Sequence, residues 1–267
     1  MFVKNLTDFI LNLKIDRFGF CKAGDFYAVV MLFPYYSGKD ENGNISVYTY
    51  SRDYHIIVKE YLKKVADFIK KSGEYKAEFY VDVSPFNDVE LGYSAGLGVV
   101  GKNRLLINDK YGSFCFIGYV ITDMPLNVSA SLENKCLNCN KCVTACPTGA
   151  LKDGDFTKCL SEITQKKGEL SEQEQKIIKE NGSAFGCDIC QMVCPMNNFN
   201  VTPVEEFKTD LVTTIKKSDF ENLSNKEFKE KYGSRAFSWR GKKVLVRNLE
   251  ILENQGRFKE DMSEGNI

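Results

Sequence analysis

The pattern of hydrophobic and polar residues in the first 127 positions alternates between helical and strand spacing. Apolar residues recur at helical spacing over Leu6–Leu13 and again over Tyr54–Lys71. Between these segments, Ala28–Phe33 is a continuous apolar run of strand length, and Pro34 ends it. The pattern therefore predicts helices and strands interleaved in one domain.

Further strands and a short helix follow in the same part of the chain. Strand patterns cover Ala77–Val83, Arg104–Ile107 and Phe114–Ile121, and Ser84-Pro85 has the form of a helix N-cap followed by proline at the first helical position. We predict an α+β domain with a mixed sheet over residues 1–127.

The pattern changes character after residue 127. Residues 128–203 hold eight of the 10 cysteines, with one helix expected through Cys159, capped by Asp155 and ending near Gly168, and another between Ser171 and Gly182. Residues 204–267 read as a short, charged helical segment, with a capping box at Ser224–Glu227 and a frayed polar end over the last dozen residues. These segments are the second and third predicted domains.

Composition narrows the possible chemistry. The 36 basic and 36 acidic side chains balance, so any contact with nucleic acid has to come from a local basic patch. No apolar run approaches the roughly 20 residues of a membrane helix, and the N-terminal stretch, with Asp8 and no small-residue cleavage site, does not resemble a secretory signal. We expect a cytoplasmic protein without membrane contact, and its single histidine excludes catalysis built on several imidazoles.

The spacing of the clustered cysteines is typical of iron–sulfur proteins. Cys136-x2-Cys139-x2-Cys142-x3-Cys146-Pro is the bacterial ferredoxin pattern, and Cys187-x2-Cys190-x3-Cys194-Pro repeats it with Ala184 where a first ligand would stand. Cys159 supplies the missing thiolate. We assign one [4Fe–4S] cluster to Cys136, Cys139, Cys142 and Cys194, and the other to Cys146, Cys159, Cys187 and Cys190. Two four-thiolate zinc sites are the alternative, and Cys21 and Cys115 read as free cysteines.

Two other motifs match known functional patterns only in part. Gly96–Gly101 matches G-x-G-x-x-G, but a helix precedes it and a strand follows, the reverse of a dinucleotide-binding loop. Asp53-x-His55 resembles the element through which some cobalamin enzymes supply an axial imidazole, yet Val58 replaces its glycine. A helix-capping Asp53 beside a partly exposed His55 is the alternative.

Several motifs in one order resemble the epoxyqueuosine reductase family, cobalamin-dependent iron–sulfur enzymes related to reductive dehalogenases. The resemblance runs from about residue 15 to about residue 250. Besides both cysteine groups and Cys159, the matching stretches are Tyr50–His55, Val81-Asp82, Ala95–Gly98, Gly101–Asn103, Tyr111–Ser113 and Gly186–Asp188.

The resemblance implies a base-off cobalamin that receives electrons through the two clusters. By position, Asp82 matches the family's proton donor, and a helix-capping aspartate is the alternative. We expect Asp88 and Glu90 to be solvated helix residues, although either could serve if Asp82 does not. The implied cobalamin contacts are Leu106, Ile107, Asn108, Ile117, Ser161, Cys187 and Asp188.

Two departures bear on the substrate. The family's substrate-facing arginine is absent, since residues 88–90 read Asp-Val-Glu, and the chain ends near the point where full-length members continue into a helical-repeat domain. A basic stretch interleaved with Phe237 and Trp239 offers a tRNA contact or, alternatively, a core with solvated cations; its cations are Arg235, Arg240, Lys242, Lys243 and Arg247.

Three functional hypotheses follow. The first is a reductase of epoxyqueuosine in tRNA, served by an external electron donor such as a flavodoxin or ferredoxin. The second keeps the cofactors but takes a small electrophile, as Val89 suggests. The third is a dicluster electron carrier without cobalamin. The first 127 residues argue against it, because an electron carrier does not need such a domain.

Overall fold

A computed structural model describes residues 2–129 and 135–253 and contains two compact units, each built from separate stretches of chain. The first unit comprises residues 1–38, 51–140 and 194–209, and the second comprises residues 39–50, 141–193 and 210–267. The three contiguous domains expected from the sequence stay a prediction, and the frayed end expected at the C-terminus lies outside the described residues.

The first unit is an α+β layer structure, as predicted. Its elements in chain order are α1 (Phe2–Asn12), β1 (Phe18–Ala23), β2 (Phe26–Pro34), α2 (Tyr54–Lys71), β3 (Ala77–Val81), α3 (Asp88–Ser94), β4 (Val99–Val100), β5 (Leu106–Ile107) and β6 (Cys115–Thr122). Four strands form a sheet in the order β1-β2-β6-β3, and β4 pairs with β5.

The sheet is antiparallel in every pairing, so the expectation of a mixed sheet is wrong. β1 and β2 form a hairpin, in which Phe18 pairs with Met31. The connection through α2 leaves β2 and β3 pointing the same way, but β6 inserts between them and runs opposite to both. The glycine of β6 matters for packing: a Cβ at Gly118 would lie 2.8 Å from Val58 of α2, so the missing side chain lets α2 approach the sheet.

The boundaries of α2 follow local sequence rules, whereas those of α3 depart from our expectation. Asp53 caps α2 by accepting a hydrogen bond from the backbone N–H of His55, as predicted. The short helix, however, begins at Asp88 rather than near Ser84, because Asn87 is its N-cap and accepts from the N–H of Glu90. The hydroxyl of Ser84 instead binds the backbone of Phe86.

The second unit is helical. It contains α4 (Lys141–Ala145), α5 (Ala150–Asp153), α6 (Leu160–Gln165), α7 (Glu172–Asn181), α8 (Ile189–Met192), α9 (Asn225–Tyr232) and α10 (Lys242–Glu253). The capping boxes of α7 and α9 are present as predicted. The helix predicted through Cys159 is shorter than expected: Asp155 caps a 3-10 turn, and α6 begins only after Cys159 and ends at Gln165.

None of the helices within residues 2–129 and 135–253 has the length and apolar character needed to cross a membrane.

Asn248 of α10 ties three segments of the second unit together. Its fully buried amide donates to the carbonyl oxygens of Thr164 at 2.7 Å and Ala184 at 2.9 Å. A buried carbonyl that loses its donor keeps the full cost of desolvation.

We expect Asn248→Ala to lower the free energy of unfolding by about 2 kcal/mol or more, because it strands both carbonyls. Asn222→Ala, at an exposed position of the same unit, is the matched control and should change it by less than about 0.5 kcal/mol. Chemical denaturation of the two variants without oxygen measures the difference, and equal stabilities would show that Asn248 is dispensable.

Candidate functional site

Four cysteines of the second unit lie close enough to influence one another's ionisation. Cys187 and Cys190 are half-buried, and burial raises the pKa of each thiol to about 12. Negative charge on Cys146 and Cys159 raises both values further, and negative charge on Cys142 also raises that of Cys190. The sequence assigned Cys142 to one cluster and the other four residues to the second, and that division stays a prediction.

Cys146 differs from Cys187 and Cys190 because the backbone around it favours a thiolate. Burial raises its pKa, but the backbone N–H groups of Thr148, Ala150 and Leu151 and the hydroxyl of Thr148 point at the sulfur and bring the pKa below its ordinary value. Gly149 adopts a positive φ of 70°, which turns the chain so that these groups face one sulfur.

This donor set fits an iron–sulfur cluster. Cysteine binds metal as thiolate, and thiolates brought together repel one another unless positive charge lies among them. Among the described residues, no three His, Cys, Asp or Glu side chains are placed to hold a single metal ion. Cys146, Cys159, Cys187 and Cys190 would hold the cluster, which would carry single electrons.

The second predicted set has the local conformation of a cluster-binding loop. Asn138 and Asn140, beside Cys139, have φ values of 53° and 60°. Asparagine tolerates this left-handed conformation better than most residues, and alternation of this kind turns successive N–H groups toward one point. Cys136, Cys139 and Cys194 belong to the first unit and Cys142 to the second, and their shared cluster stays a prediction.

A separate group of ionisable side chains, which we call the carboxylate–imidazole group, consists of Asp53, His55 and Asp82 in the first unit. His55 lies between the carboxylates, with Nδ1 2.9 Å from Oδ1 of Asp53 and Nε2 3.3 Å from Oδ2 of Asp82. The hydroxyl of Tyr54 donates to the same Asp82 oxygen at 3.0 Å. Two elements build the group, the start of α2 and the loop after β3.

The two carboxylates keep His55 protonated. Hydrogen bonds to Asp53 and then to Asp82 outweigh burial and raise the pKa of His55 to about 9. An imidazolium has no free nitrogen lone pair, so this arrangement disfavours the axial-ligand interpretation and supports the capping one. The hydrogen bond from His55, aided by that from Tyr54, outweighs partial desolvation and keeps the pKa of Asp82 below its ordinary value.

Asp82 is held in an uncommon backbone conformation. Its φ is 66°, in the left-handed region, and its side chain is 58% exposed. Asp82 does not cap α3, since Asn87 has that role. The helix-cap alternative for Asp82 is therefore wrong.

Asp88, which we expected to be solvated, is instead half-buried. Burial, reinforced by the charge of Asp82, raises its pKa, and the buried hydroxyl of Tyr119 donates to it at 2.8 Å. Tyr119 also contacts the hydroxyl of Ser84. Asp88 thus takes up a proton more readily than Asp82. The sequence did not reveal the burial of Asp88, because that burial depends on β6.

An aromatic surface lies beside the carboxylate–imidazole group. The rings of Tyr54 and Phe116 stack with centroids 4.1 Å apart and planes 7° apart, and both residues are half-buried. Neither ring was singled out from the sequence, because the stacking depends on β6 meeting the start of α2.

The residues implied as cobalamin contacts occupy different environments. Leu106 and Ile107 are buried, and Ile117 packs on the same core as Leu106. Asn108 is buried too, and its amide binds the Leu97 carbonyl and the N–H groups of Lys110 and Tyr111. Leu106, Ile107 and Asn108 thus expose little side chain, whereas Ile117 is half-buried, and the assignment of all four stays a prediction.

Two further implied contacts, Ser161 and Asp188, belong to the second unit. Ser161 is half-buried and accepts from the amide of Gln165. The carboxylate of Asp188 is only 3% exposed and accepts from Lys39 at 3.2 Å, from the Val47 N–H at 2.9 Å and from the hydroxyl of Ser46. Asp188 thereby anchors residues 39–50 beside Cys187, a role that the sequence did not reveal.

The predicted basic stretch is not uniformly available. The prediction that Arg235 contacts tRNA is wrong, because this residue is only 7% exposed. Its guanidinium binds Asp210 at 2.5 Å and the Tyr50 carbonyl at 3.1 Å. The guanidinium of Arg247 also forms hydrogen bonds within the unit, because it donates to the carbonyls of Lys166 and Gly168. Lys242 donates to the Leu223 carbonyl, whereas Arg240 and Lys243 remain on the surface of the unit.

Comparisons with known proteins now define the class. A family model described as "4Fe-4S double cluster binding domain" matches residues 135–197, and one described as "Epoxyqueuosine reductase QueG, DUF1730" matches residues 27–83. A double-cluster domain combined with an α+β domain defines the class as iron–sulfur proteins.

Similar proteins specify the family. An epoxyqueuosine reductase of Cyclobacterium marinum is 35% identical over 240 residues, which cover 85% of this chain and 76% of the relative. That of Lactococcus garvieae is 39% identical over 78% of this chain and 60% of its own length. The chain belongs to the epoxyqueuosine reductase family, and it spans between about half and three fifths of the first relatives it matches.

Solved structures agree on the fold. The epoxyqueuosine reductase of Streptococcus thermophilus has a TM-score of 0.80 at 27% identity, covering 100% of this chain and 87% of that protein. A family structure described as holding an epoxyqueuosine-modified tRNA-Tyr stem loop has a TM-score of 0.81 at 25% identity, over 93% of this chain and 80% of that one. The predicted family and α+β class are confirmed.

We expect Cys159→Ser to lower the iron content from about eight to about four per chain, since a hydroxyl replaces one thiolate of a four-cysteine set. Iron and sulfide analysis after anaerobic reconstitution measures the loss, with Cys115→Ser as the control because Cys115 lies in β6, outside both assigned sets. Unchanged iron in Cys159→Ser would refute the assignment of this residue.

We expect the single histidine to titrate near pH 9. Its stabilising contribution is present in full below about pH 6.5 and disappears as the pH rises through about 9, because protonation favours the folded state. NMR of histidine-labelled protein measures this pKa. It should fall in Asp53→Asn and, by a smaller amount, in Asp82→Asn; a value near 6.5 in the unmodified protein would contradict the geometry.

Proposed function

We propose that this protein is a cobalamin- and iron–sulfur-dependent reductase that converts epoxyqueuosine to queuosine in tRNA. The observation that carries the proposal is the presence, in one chain, of a double-cluster domain and an exposed carboxylate hydrogen-bonded to a protonated imidazole. An electron carrier needs only the first of these. The family to which the chain belongs supports the reaction type.

The number of electrons that the reaction consumes is consistent with iron–sulfur clusters. Opening an epoxide and releasing its oxygen as water leaves an alkene, and it consumes two electrons and two protons. Each [4Fe–4S] cluster passes one electron at a time, so electrons have to enter from an external donor, for which a flavodoxin or ferredoxin is our proposal.

Cobalamin, when bound, would supply a low-valent cobalt able to attack or reduce an electrophilic carbon–oxygen bond. The half-buried, nearly coplanar rings of Tyr54 and Phe116 fit such a group, since they offer a flat apolar surface beside Asp82. We propose these rings as packing contacts for the corrin, in addition to the residues implied by the sequence.

The carboxylate–imidazole group would manage one proton. At neutral pH Asp82 is ionised and His55 carries the proton, because the pKa of the carboxyl is lowered and that of the imidazole is raised. As an oxygen atom next to Asp82 gains negative charge, the Asp82 carboxylate can take the proton from Nε2 of His55, 3.3 Å from Oδ2, and pass it to that oxygen, which leaves His55 neutral. The low pKa of Asp82 is then compatible with its predicted role as proton donor.

The tRNA substrate is supported by the family structure that is described as holding a modified tRNA stem loop. In this chain, Arg240, Lys242 and Lys243 are the remaining cations of the predicted contact, and Lys242 is partly committed to a carbonyl. A small electrophile is the competing substrate class, since Val89, where the family carries arginine, packs against the core instead of offering a charge. We propose the cytoplasm as the location.

We expect Asp82→Asn to keep its fold and cofactors but to lower turnover at least about a hundredfold, because the amide cannot relay a proton from His55. Asparagine also tolerates the positive φ at this position. The assay is the loss of the epoxyqueuosine nucleoside from tRNA of a reductase-deficient strain, followed by mass spectrometry.

Asp67→Asn, on the exposed side of α2, is the matched control and should retain full activity. If Asp82→Asn is fully active while Asp88→Asn is inactive, the proton donor is Asp88. If the unmodified protein binds cobalamin yet leaves modified tRNA unchanged, the small-electrophile hypothesis replaces the tRNA one.

A further inference from the structure

The second unit contains a cavity of about 630 Å³, whose lining includes Arg240, Lys242 and Lys243, the cations proposed above for tRNA contact. It is formed by residues 167–168 before α7, by α9 and by the turn that leads into α10. A cavity of this volume is in the usual range for small-molecule sites. We propose, on the basis of the proposed tRNA substrate, that it receives one unstacked nucleotide from a single-stranded region of the RNA.

The cavity wall includes Trp239, the only tryptophan of the sequence, whose ring is held in place by a hydrogen bond. Trp239 is 58% exposed, and among the described large hydrophobic residues only Val83, Leu137 and Val201 are more exposed. Its indole N–H donates to Oε1 of Gln165 at 2.8 Å, which fixes the ring. An exposed, immobilised indole offers a stacking surface that any base can use.

Arg240 adds a second planar group. The guanidinium carbon of Arg240 lies 3.6 Å from the centroid of the Trp239 ring, and its buried Nε has no hydrogen-bond partner among the described residues. A base that stacks here gains contact with an aromatic and a cationic plane together.

The charge of the cavity matches a phosphodiester. Lys167, Lys229 and Lys243 line it, are exposed, and have no ion pair within the described part of the chain. No acidic residue lines it, and the nearby Glu227 is committed to capping α9. The N-terminus of α10, at Lys242, adds the positive end of a 12-residue helix.

An acidic peptide would satisfy the lysines but would gain little from the exposed indole. A nucleotide uses the ring and the cations together, which is the combination found in single-strand binding sites. The observations therefore favour RNA over a protein partner.

The single tryptophan makes the test direct, because its fluorescence reports on this cavity. Cluster-loaded protein is titrated without oxygen with a short oligouridylate, and saturable quenching is expected as a base stacks on the indole. Polyglutamate of similar charge is the competing ligand. Equal quenching by polyglutamate would overturn the proposal in favour of an acidic protein partner.

Variants then separate stacking from charge. We expect Trp239→Ala to weaken binding of labelled oligouridylate about tenfold or more, measured by fluorescence anisotropy, and Trp239→Phe to restore most of it. Lys243→Ala should reduce the slope of log affinity against log salt by about 0.7, the value for one phosphate of a single strand. Lys226→Ala is the matched control, since this exposed α9 lysine pairs with Glu230 outside the cavity.

Equal affinities of Trp239→Ala and Lys226→Ala would overturn the inference. The mass-spectrometric reductase assay distinguishes this from failure of the proposed function. An active reductase whose Trp239→Ala variant binds RNA normally removes only the nucleotide cavity. An inactive protein that still binds oligouridylate through Trp239 removes only the reductase proposal.

Discussion

Thiolates that share a small volume of protein repel one another, and the architecture of the second unit answers that constraint. Cys146, Cys159 and the pair Cys187 and Cys190 come from three separate stretches of chain, and burial makes ionisation of Cys187 and Cys190 difficult. Backbone N–H groups bring the pKa of Cys146 below its ordinary value, whereas the one from Ile189 to Cys187 is outweighed by burial. In the proposed ligand set, iron would supply the remaining stabilisation, which would couple the fold of this unit to the loading of its cluster.

The polar groups around these turns hold the chain in place rather than perform chemistry. Asn248 joins α6 and the segment before Cys187 to α10, and Asp188 anchors residues 39–50. Gly186, with a φ of 78°, has no room for a side chain, because a Cβ would lie 2.5 Å from that of Ser46. The thiol positions thus depend on contacts remote in sequence.

Local signals made part of this structure predictable. The caps of α2, α7 and α9 depend on residues adjacent in sequence, and the spacing of the cysteines is typical of cluster ligands. The order of strands is different, because the insertion of β6 between β2 and β3 depends on a segment far along the chain. The same reason concealed the burial of Asp88, the stacking of Phe116 on Tyr54 and the structural role of Arg235.

The conformation of Asp82 restricts which acid can stand at this position. In the left-handed region the short side chains of aspartate and asparagine are favoured over longer ones, since they can form local hydrogen bonds there. Glutamate would bring a similar acidity but would strain the backbone and carry its carboxyl beyond the reach of His55. The choice of aspartate is thus a matter of chain geometry as well as of acid strength, and the loop after β3 can exchange its carboxylate for an amide more easily than for a longer acid.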